Sequence, residues 1–128
     1  MPALNRVQLI GRLGRDPETR YTPTGNKLCQ FSVAVSRRWK VQEGEPKETT
    51  DWFNIEAWGR LGEICGQYLK KGRLVYVEGR LQIERYDHEG ETRFFTKVIA
   101  RQVQMLDRKP EEEGETVPEV LEEDLGSE

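Results

Sequence analysis

Two indoles on one face of a short alternating run are the residues of this chain best suited to chemistry, and that chemistry is stacking rather than bond making. In Asp51-Trp52-Phe53-Asn54-Ile55-Glu56-Ala57-Trp58, a period of two puts Phe53, Ile55 and Ala57 on one side and Trp52, Asn54, Glu56 and Trp58 on the other. The first set is a core face. The second sets two large flat rings beside polar neighbours, where burial is poor and where a flat partner such as a nucleobase can be received. A covering sheet, helix or second subunit would satisfy the same rings, and this strand alone does not choose between them.

Charge points the same way. All twenty Lys and Arg lie at or before Lys109, where they face fourteen acids and leave +6, while residues 110–128 carry nine acids and no cation. The net charge of −3 therefore hides a basic body with an acidic tail, a balance suited to a nucleic-acid binder whose tail competes with the ligand or meets a second partner. A purely solubilising tail is the alternative. With 128 residues there is room for one core, and 35% hydrophobic against 34% charged residues is lean enough that part of the chain is expected to stay unfolded.

Catalysis and metal binding find little to work with. His88 is the single histidine and stands between Asp87 and Glu89 on an expected hairpin tip, where no convergent partner is supplied. Gly11-x-x-Gly14 followed by Arg15 lacks the Lys-Ser or Lys-Thr of a phosphate loop and precedes a turn, not a helix. Glu43, Glu45, Glu48 and Asp51 fall in an irregular polar stretch, poor ground for paired acid and base work. Cys29 and Cys65 make no ligand spacing or disulfide framework and read as small buried hydrophobes. No enzyme, metal or cofactor is expected. The start of the chain has no apolar signal segment and no run reaches membrane length, so the expectation is a cytoplasmic protein of a bacterium-like cell.

Five strands and a helix must position the rings. Residues 7–13 alternate loosely before the turn Gly14-Arg15-Asp16-Pro17. Residues 28–38 set Cys29, Phe31, Val33 and Val35 against Gln30, Ser32, Ala34 and Ser36. Residues 40–50 read as an exposed loop leading into the tryptophan strand. Leu61, Ile64, Cys65 and Tyr68 then have helical spacing within 60–69, stopped by Lys70-Lys71-Gly72. In 74–85, Val75, Val77, Leu81 and Ile83 oppose Tyr76, Glu78, Arg80, Gln82 and Glu84, a polar face that Tyr86 continues. After the tip at 87–91, residues 94–103 form the last strand and Met105-Leu106 closes the domain. Beyond Lys109 there is nothing to pack, which divides the chain into a domain at 1–108 and a disordered acidic tail at 109–128. The order fits an all-β fold with one short helix, a five-stranded OB-fold Greek-key barrel, although an open sheet capped by the helix would give the same pattern.

Three blocks carry a family likeness. The run from Asn5 to Tyr21 (NRVQLIGRLGRDPETRY), Asp51-Trp52-Phe53 through Trp58-Gly59-Arg60-Leu61, and Tyr68-Leu69-Lys70-Lys71-Gly72 with Val75-Tyr76-Val77-Glu78-Gly79-Arg80-Leu81 resemble bacterial single-stranded-DNA-binding proteins in the family's order. The resemblance covers about residues 1–108. It implies an OB barrel that assembles as a homotetramer and wraps single-stranded DNA in replication, recombination and repair. Trp39 and Trp52 match family stacking tryptophans, Trp58 stands where phenylalanine is frequent, and Tyr86 where tryptophan is frequent. Counting by twos from Phe31 puts Trp39 on the core face, so a bulge or the start of the loop is expected to turn it outward. Gln82 and Glu84 replace common arginines, implying weaker or more salt-sensitive phosphate contact. Family tails close in Pro-Phe and dock replication and repair enzymes, whereas this sequence closes in Leu125-Gly126-Ser127-Glu128, which puts recruitment through the tail in doubt.

Single-strand binding needs π faces and cations that follow the backbone. Trp39, Trp52, Trp58 and Tyr86 supply the first. Arg6, Arg20, Arg38, Lys40, Lys71 and Arg80, near strand ends or on the aromatic face, are the candidates for the second. Tyr76 and Phe53 are assigned to subunit contact or core. An OB-fold RNA-binding protein or chaperone shares this physics, because stacking and phosphate contact do not read the sugar. An interaction subunit whose Trp52 and Trp58 face is a protein interface is the reading from another class.

Overall fold

A computed structural model describes residues 2–40, 42–107 and 120–122. Its elements are β1 (Val7–Leu13), β2 (Glu18–Tyr21), β3 (Lys27–Trp39), β4 (Lys47–Trp58), α1 (Gly59–Tyr68), β5 (Leu74–His88), β6 (Glu91–Met105) and β7 (Val120–Glu122). Strand order is β1-β5-β6-β4-β3-β2, with β7 on β6. Pairing of Arg12 with Ala34 and of Leu13 with Val33 joins β1 to β3 and closes five strands into the OB-type barrel, which excludes the open sheet.

Alternation sends the apolar half of each strand inward. Leu9, Leu13, Phe31, Val33, Ile55, Val75, Val77, Val98 and Val103 form one buried cluster, and Leu61 and Cys65 of α1, with Leu69 directly after the helix, pack against it. Each such side chain, fully buried, contributes about 1.5–3 kcal/mol. Gly62 lets the helix approach β4, since a Cβ there would meet the Ala57 carbonyl oxygen at 2.3 Å. Both cysteines are buried; burial pushes the Cys29 thiol up to about 11 and the Cys65 thiol higher still, so neither presents a thiolate at neutral pH.

Beyond the barrel, two hairpins extend as arms. The β3–β4 ladder runs without a break from Leu28↔Trp58 to Trp39↔Lys47, so residues 47–50, expected in a loop, are strand. The β5–β6 arm turns at Glu89 and Gly90, both at positive φ (49° and 80°), the geometry of a two-residue primed turn. Leu81 and Ile83 keep the parity of Val77, yet both are exposed, Ile83 at 64%, because the strand outruns the core and nothing packs there. One bulge interrupts the arm's base: Glu78 pairs with Gln102 and Gly79 with Ala100, which leaves Arg101 as the extra residue.

Strand β2 was not legible because its four residues are all exposed and show no alternation. Within the segment expected to be an unfolded tail, Val120–Glu122 instead pairs antiparallel with Gln102–Gln104 of β6; residues 108–119 and 123–128 lie outside the described residues.

Candidate nucleic-acid interface

The outer face of β3–β4 carries the rings that opened the sequence reading. Cross-strand pairs Leu28↔Trp58, Gln30↔Glu56, Ser32↔Asn54 and Ala34↔Trp52 share that face. Trp52 is 60% exposed, while Trp58 is half-buried. Small residues set the pose of Trp52: Ala34 lies opposite it, and a Cβ at Gly14 would fall 2.3 Å from its Cζ3. Gly14→Ala therefore displaces the ring rather than the fold. The expected result is a shifted tryptophan emission and a several-fold weaker oligonucleotide affinity with little change in melting temperature; an unchanged emission spectrum would count against it.

Trp39 is exposed at 43%, but not for the reason anticipated. The ladder holds no bulge between Leu28 and Trp39, so the ring keeps the parity of Phe31 and is open because the arm has left the barrel. It lies on the other face of the β3–β4 arm from Trp52, with the Arg37 guanidinium 5.7 Å from its ring centroid.

On the β5–β6 arm, Glu84↔Phe95 and Tyr86↔Arg93 share one face, which puts two exposed rings side by side, Tyr86 at 46%. Phe95 was missed in the sequence. Adjacent Phe94 and Phe95 must point to opposite faces of a strand, so the doublet was a signal that one ring leaves the core side. Between this arm and β4 lies a charged link. Lys97 Nζ donates to Glu56 Oε2 at 3.1 Å and to Glu84 Oε1 at 2.5 Å, and Gln30 Nε2 donates to Glu56 Oε2 at 3.2 Å. Burial opposes the Lys97 charge, but the bonds to Glu84 and Glu56 outweigh it and raise its pKa; the same ammonium lowers that of Glu84. Glu56, expected on the outward polar face, is buried beneath this link because the parallel pairing Ile55↔Val98 and Glu56↔Ile99 lays β6 beside it.

The six cations separate into groups. Arg20 and Arg80 line one cavity with Trp58, Gln82, Glu84 and Lys97. Arg6 and Arg80 line a second, of about 380 Å³, which Trp58 also borders. Arg38 pairs with Glu48 at 2.6 Å on the β3–β4 arm, and exposed Lys40 follows directly after β3. Lys71 lies elsewhere, in the turn after α1, where its backbone N–H donates to Asp16 Oδ1 at 2.9 Å. Phe53 is half-buried against the core.

Tyr76 belongs to a polar chain on β1–β5. Gln8 Nε2 donates to the Tyr76 hydroxyl at 2.9 Å, which donates to Glu78 Oε1 at 2.7 Å; Arg101 donates to Glu78 Oε2, and Arg6 stands 3.6 Å away. The Arg101 and Tyr76 bonds hold the Glu78 carboxyl below its usual 4.5. A depressed folded pKa stabilises the protein above the unfolded value, and that stability is lost as pH falls through the folded one. Glu78→Gln is therefore expected to lower stability at pH 7, with the gap to the parent starting to narrow below about pH 4 and closing as pH falls through the lower folded value. Denaturant midpoints across this range check it, and a gap that persists in acid contradicts it.

Known proteins share both sequence and fold. Residues 4–106 match the profile of the Single-strand binding protein family. The chain is 49% identical over 113 residues to the single-stranded DNA-binding proteins of Neisseria meningitidis serogroups A and B, covering 88% of this chain and 65% of each relative. It thus spans under two thirds of their length. Single-stranded DNA-binding protein 1 of Chlorobaculum tepidum is 46% identical over 108 residues, 83% of this chain and 67% of that one. Among solved structures, the Plasmodium falciparum SSB in complex with ssDNA superposes with a TM-score of 0.77 at 30% identity, covering 84% of this chain and 98% of that one. A deletion mutant of the Thermus aquaticus single-stranded DNA binding protein gives 0.72 at 33% identity, over 81% and 51%. A closed five-stranded barrel, aromatic arms on its flank and a profile match across nearly the whole described domain place this chain in the single-strand binding protein family.

Proposed function

We propose that the chain binds and protects single-stranded DNA during replication, recombination and repair, without enzymatic activity, as a homotetramer in the cytoplasm associated with the nucleoid. The observation that carries this reading is Trp52, exposed on the same strand face as Trp58 and flanked through that ring by Arg20 and Arg80. Bases stack on Trp52, Trp58 and Tyr86, with Trp39 serving the opposite face of its arm and Phe95 joining Tyr86. Arg20, Arg80 and Arg6 neutralise phosphates beside Trp58. Arg38, Lys40 and Lys71 act further out, and Arg38 must release Glu48 to do so.

Assembly has its own support. Ile10 is an exposed aliphatic side chain on β1 beside the Gln8–Tyr76–Glu78 chain, a patch suited to a second copy. The acidic segment after Lys109, with nine acids and no cation, would recruit replication and repair proteins that present a basic surface.

Titration with poly(dT) tests the reading. Tryptophan emission is expected to fall on binding, affinity to drop with salt through counterion release, and duplex to compete poorly. Unquenched emission, or equal competition by duplex, overturns it. Matched RNA oligomers in the same competition separate DNA from RNA binding.

A further inference from the structure

We propose that Lys97 is a positioning residue for strand binding: it fixes the pitch of the β5–β6 arm against β4, and so sets Tyr86 and Phe95 at the angle from which one strand meets them and the indoles of β4 together. This rests on the single-strand-binding reading and assigns a further residue to it.

The two ring pairs stand on one outer face but on different hairpins. Trp52 and Trp58 share that face with Glu56 on β4, while Tyr86, Glu84, Phe95 and Lys97 share it on the arm. Backbone pairing joins the two halves over a short stretch. β4 and β6 pair in parallel at Ile55↔Val98 and Glu56↔Ile99, and from Lys97 to the tip β6 pairs with β5 alone. A two-stranded ribbon held at one end twists and pivots about its base. Asn5 braces the β5 edge, donating to the Leu81 carbonyl at 2.8 Å and accepting from its N–H at 2.9 Å, which leaves the β4 side to be fixed by something else.

Lys97 supplies that restraint. Its ammonium donates at 3.1 Å to Glu56 on β4 and at 2.5 Å to Glu84 on β5, so one side chain ties three strands just beyond the last ladder pair. The barrel end of the tie is firm, because Glu56 is 6% exposed and its Oε2 also accepts from Gln30 at 3.2 Å. Among the described residues, no other side-chain bond runs from residues 91–97 of β6 to β3 or β4. The Lys97 side chain is only 11% exposed, which makes it a poor phosphate contact and shields the link from salt better than a surface pair. Without the ammonium, Glu56 and Glu84 would face each other as like charges across the junction and drive the arm away from β4. A strand spanning both ring pairs would then have to order the arm on binding, a cost that lowers affinity.

Oligo(dT) titration of the full chain at about 1 M salt, where the Debye length is ~3 Å and exposed charge is screened, tests this. Lys97→Met is expected to weaken binding on the order of tenfold, by freeing an arm that binding must then order. Lys97→Arg, whose guanidinium can serve both carboxylates, should stay within about threefold of the parent. Made together with Tyr86→Ala and Phe95→Ala, Lys97→Met should change affinity by less than about twofold, because no ring is left on the arm to position. A general loss of structure, or a direct phosphate contact, instead gives the same loss with and without the arm's rings, and that result overturns the proposal. Where Lys97→Met does not fold, Glu84→Ala cuts the arm half of the link at a carboxylate whose side chain is 47% exposed. A several-fold loss confined to the background that keeps the rings is then expected, and no loss there overturns the proposal. Equal oligo(dT) affinity of Lys97→Met and the parent overturns the role of Lys97 alone, whereas a parent that does not bind oligo(dT) overturns the single-strand reading itself.

Discussion

Trp52→Ala weakens oligo(dT) binding by about 1–3 kcal/mol, roughly five- to 150-fold, while stability moves by about 0.5 kcal/mol or less. The two effects separate because this ring is 60% exposed and its neighbours on the strand face are small or polar, so the core loses nothing when it goes. Trp52→Phe should retain most of the affinity, since a π face remains. Fluorescence titration of both variants, with thermal melts of each, provides the check. Equal affinity of Trp52→Ala and parent would show that the outer face of β3–β4 does not meet the strand.

Gly79→Ala should be among the most damaging single-methyl changes in the fold. A Cβ there would stand 2.0 Å from the Ile99 carbonyl oxygen and 3.0 Å from Ala100 Cα, both backbone atoms that cannot rotate away. The position adjoins the bulge that leaves Arg101 unmatched, so relief would mean re-pairing β5 with β6 at the base of the arm. The expected cost is about 3 kcal/mol or more, a fall in melting temperature of over ~10 °C. Gly66→Ala is the contrast. Its Cβ would meet only the Thr19 methyl, a side chain that can turn aside, and alanine is the better helix former, so that variant should melt within a few degrees of the parent. Comparable melting of the Gly79 and Gly66 variants would refute the clash.

Where the sequence was readable, period-two patterning met a core. Phe31 with Val33, Ile55 with Ala57 and Val75 with Val77 are buried as alternation requires, and Leu61, Cys65 and Tyr68 face the barrel from α1. Where strands leave the barrel the same pattern lost its meaning. Ile83 has the parity of Val77 yet is exposed, and residues 47–50 form ladder bonds without any apolar signal because both of their faces meet solvent. Trp39 shows this most directly: its exposure needs no bulge, only a strand longer than the core it grew from.

Composition, charge and alternation, acting along the chain, determined that this is a basic β domain with an outward indole pair and a separate acidic segment. Those properties are local, each settled by a residue and its near neighbours in sequence. Tertiary structure alone decided which distant groups meet. The parallel contact of β4 with β6 buries Glu56 under Lys97, and the hairpin register sets Phe95 beside Tyr86. Glu56 and Lys97 are 41 residues apart and meet through barrel closure, while Phe95 and Tyr86 meet through the register of one hairpin, and no periodicity within a single strand encodes either.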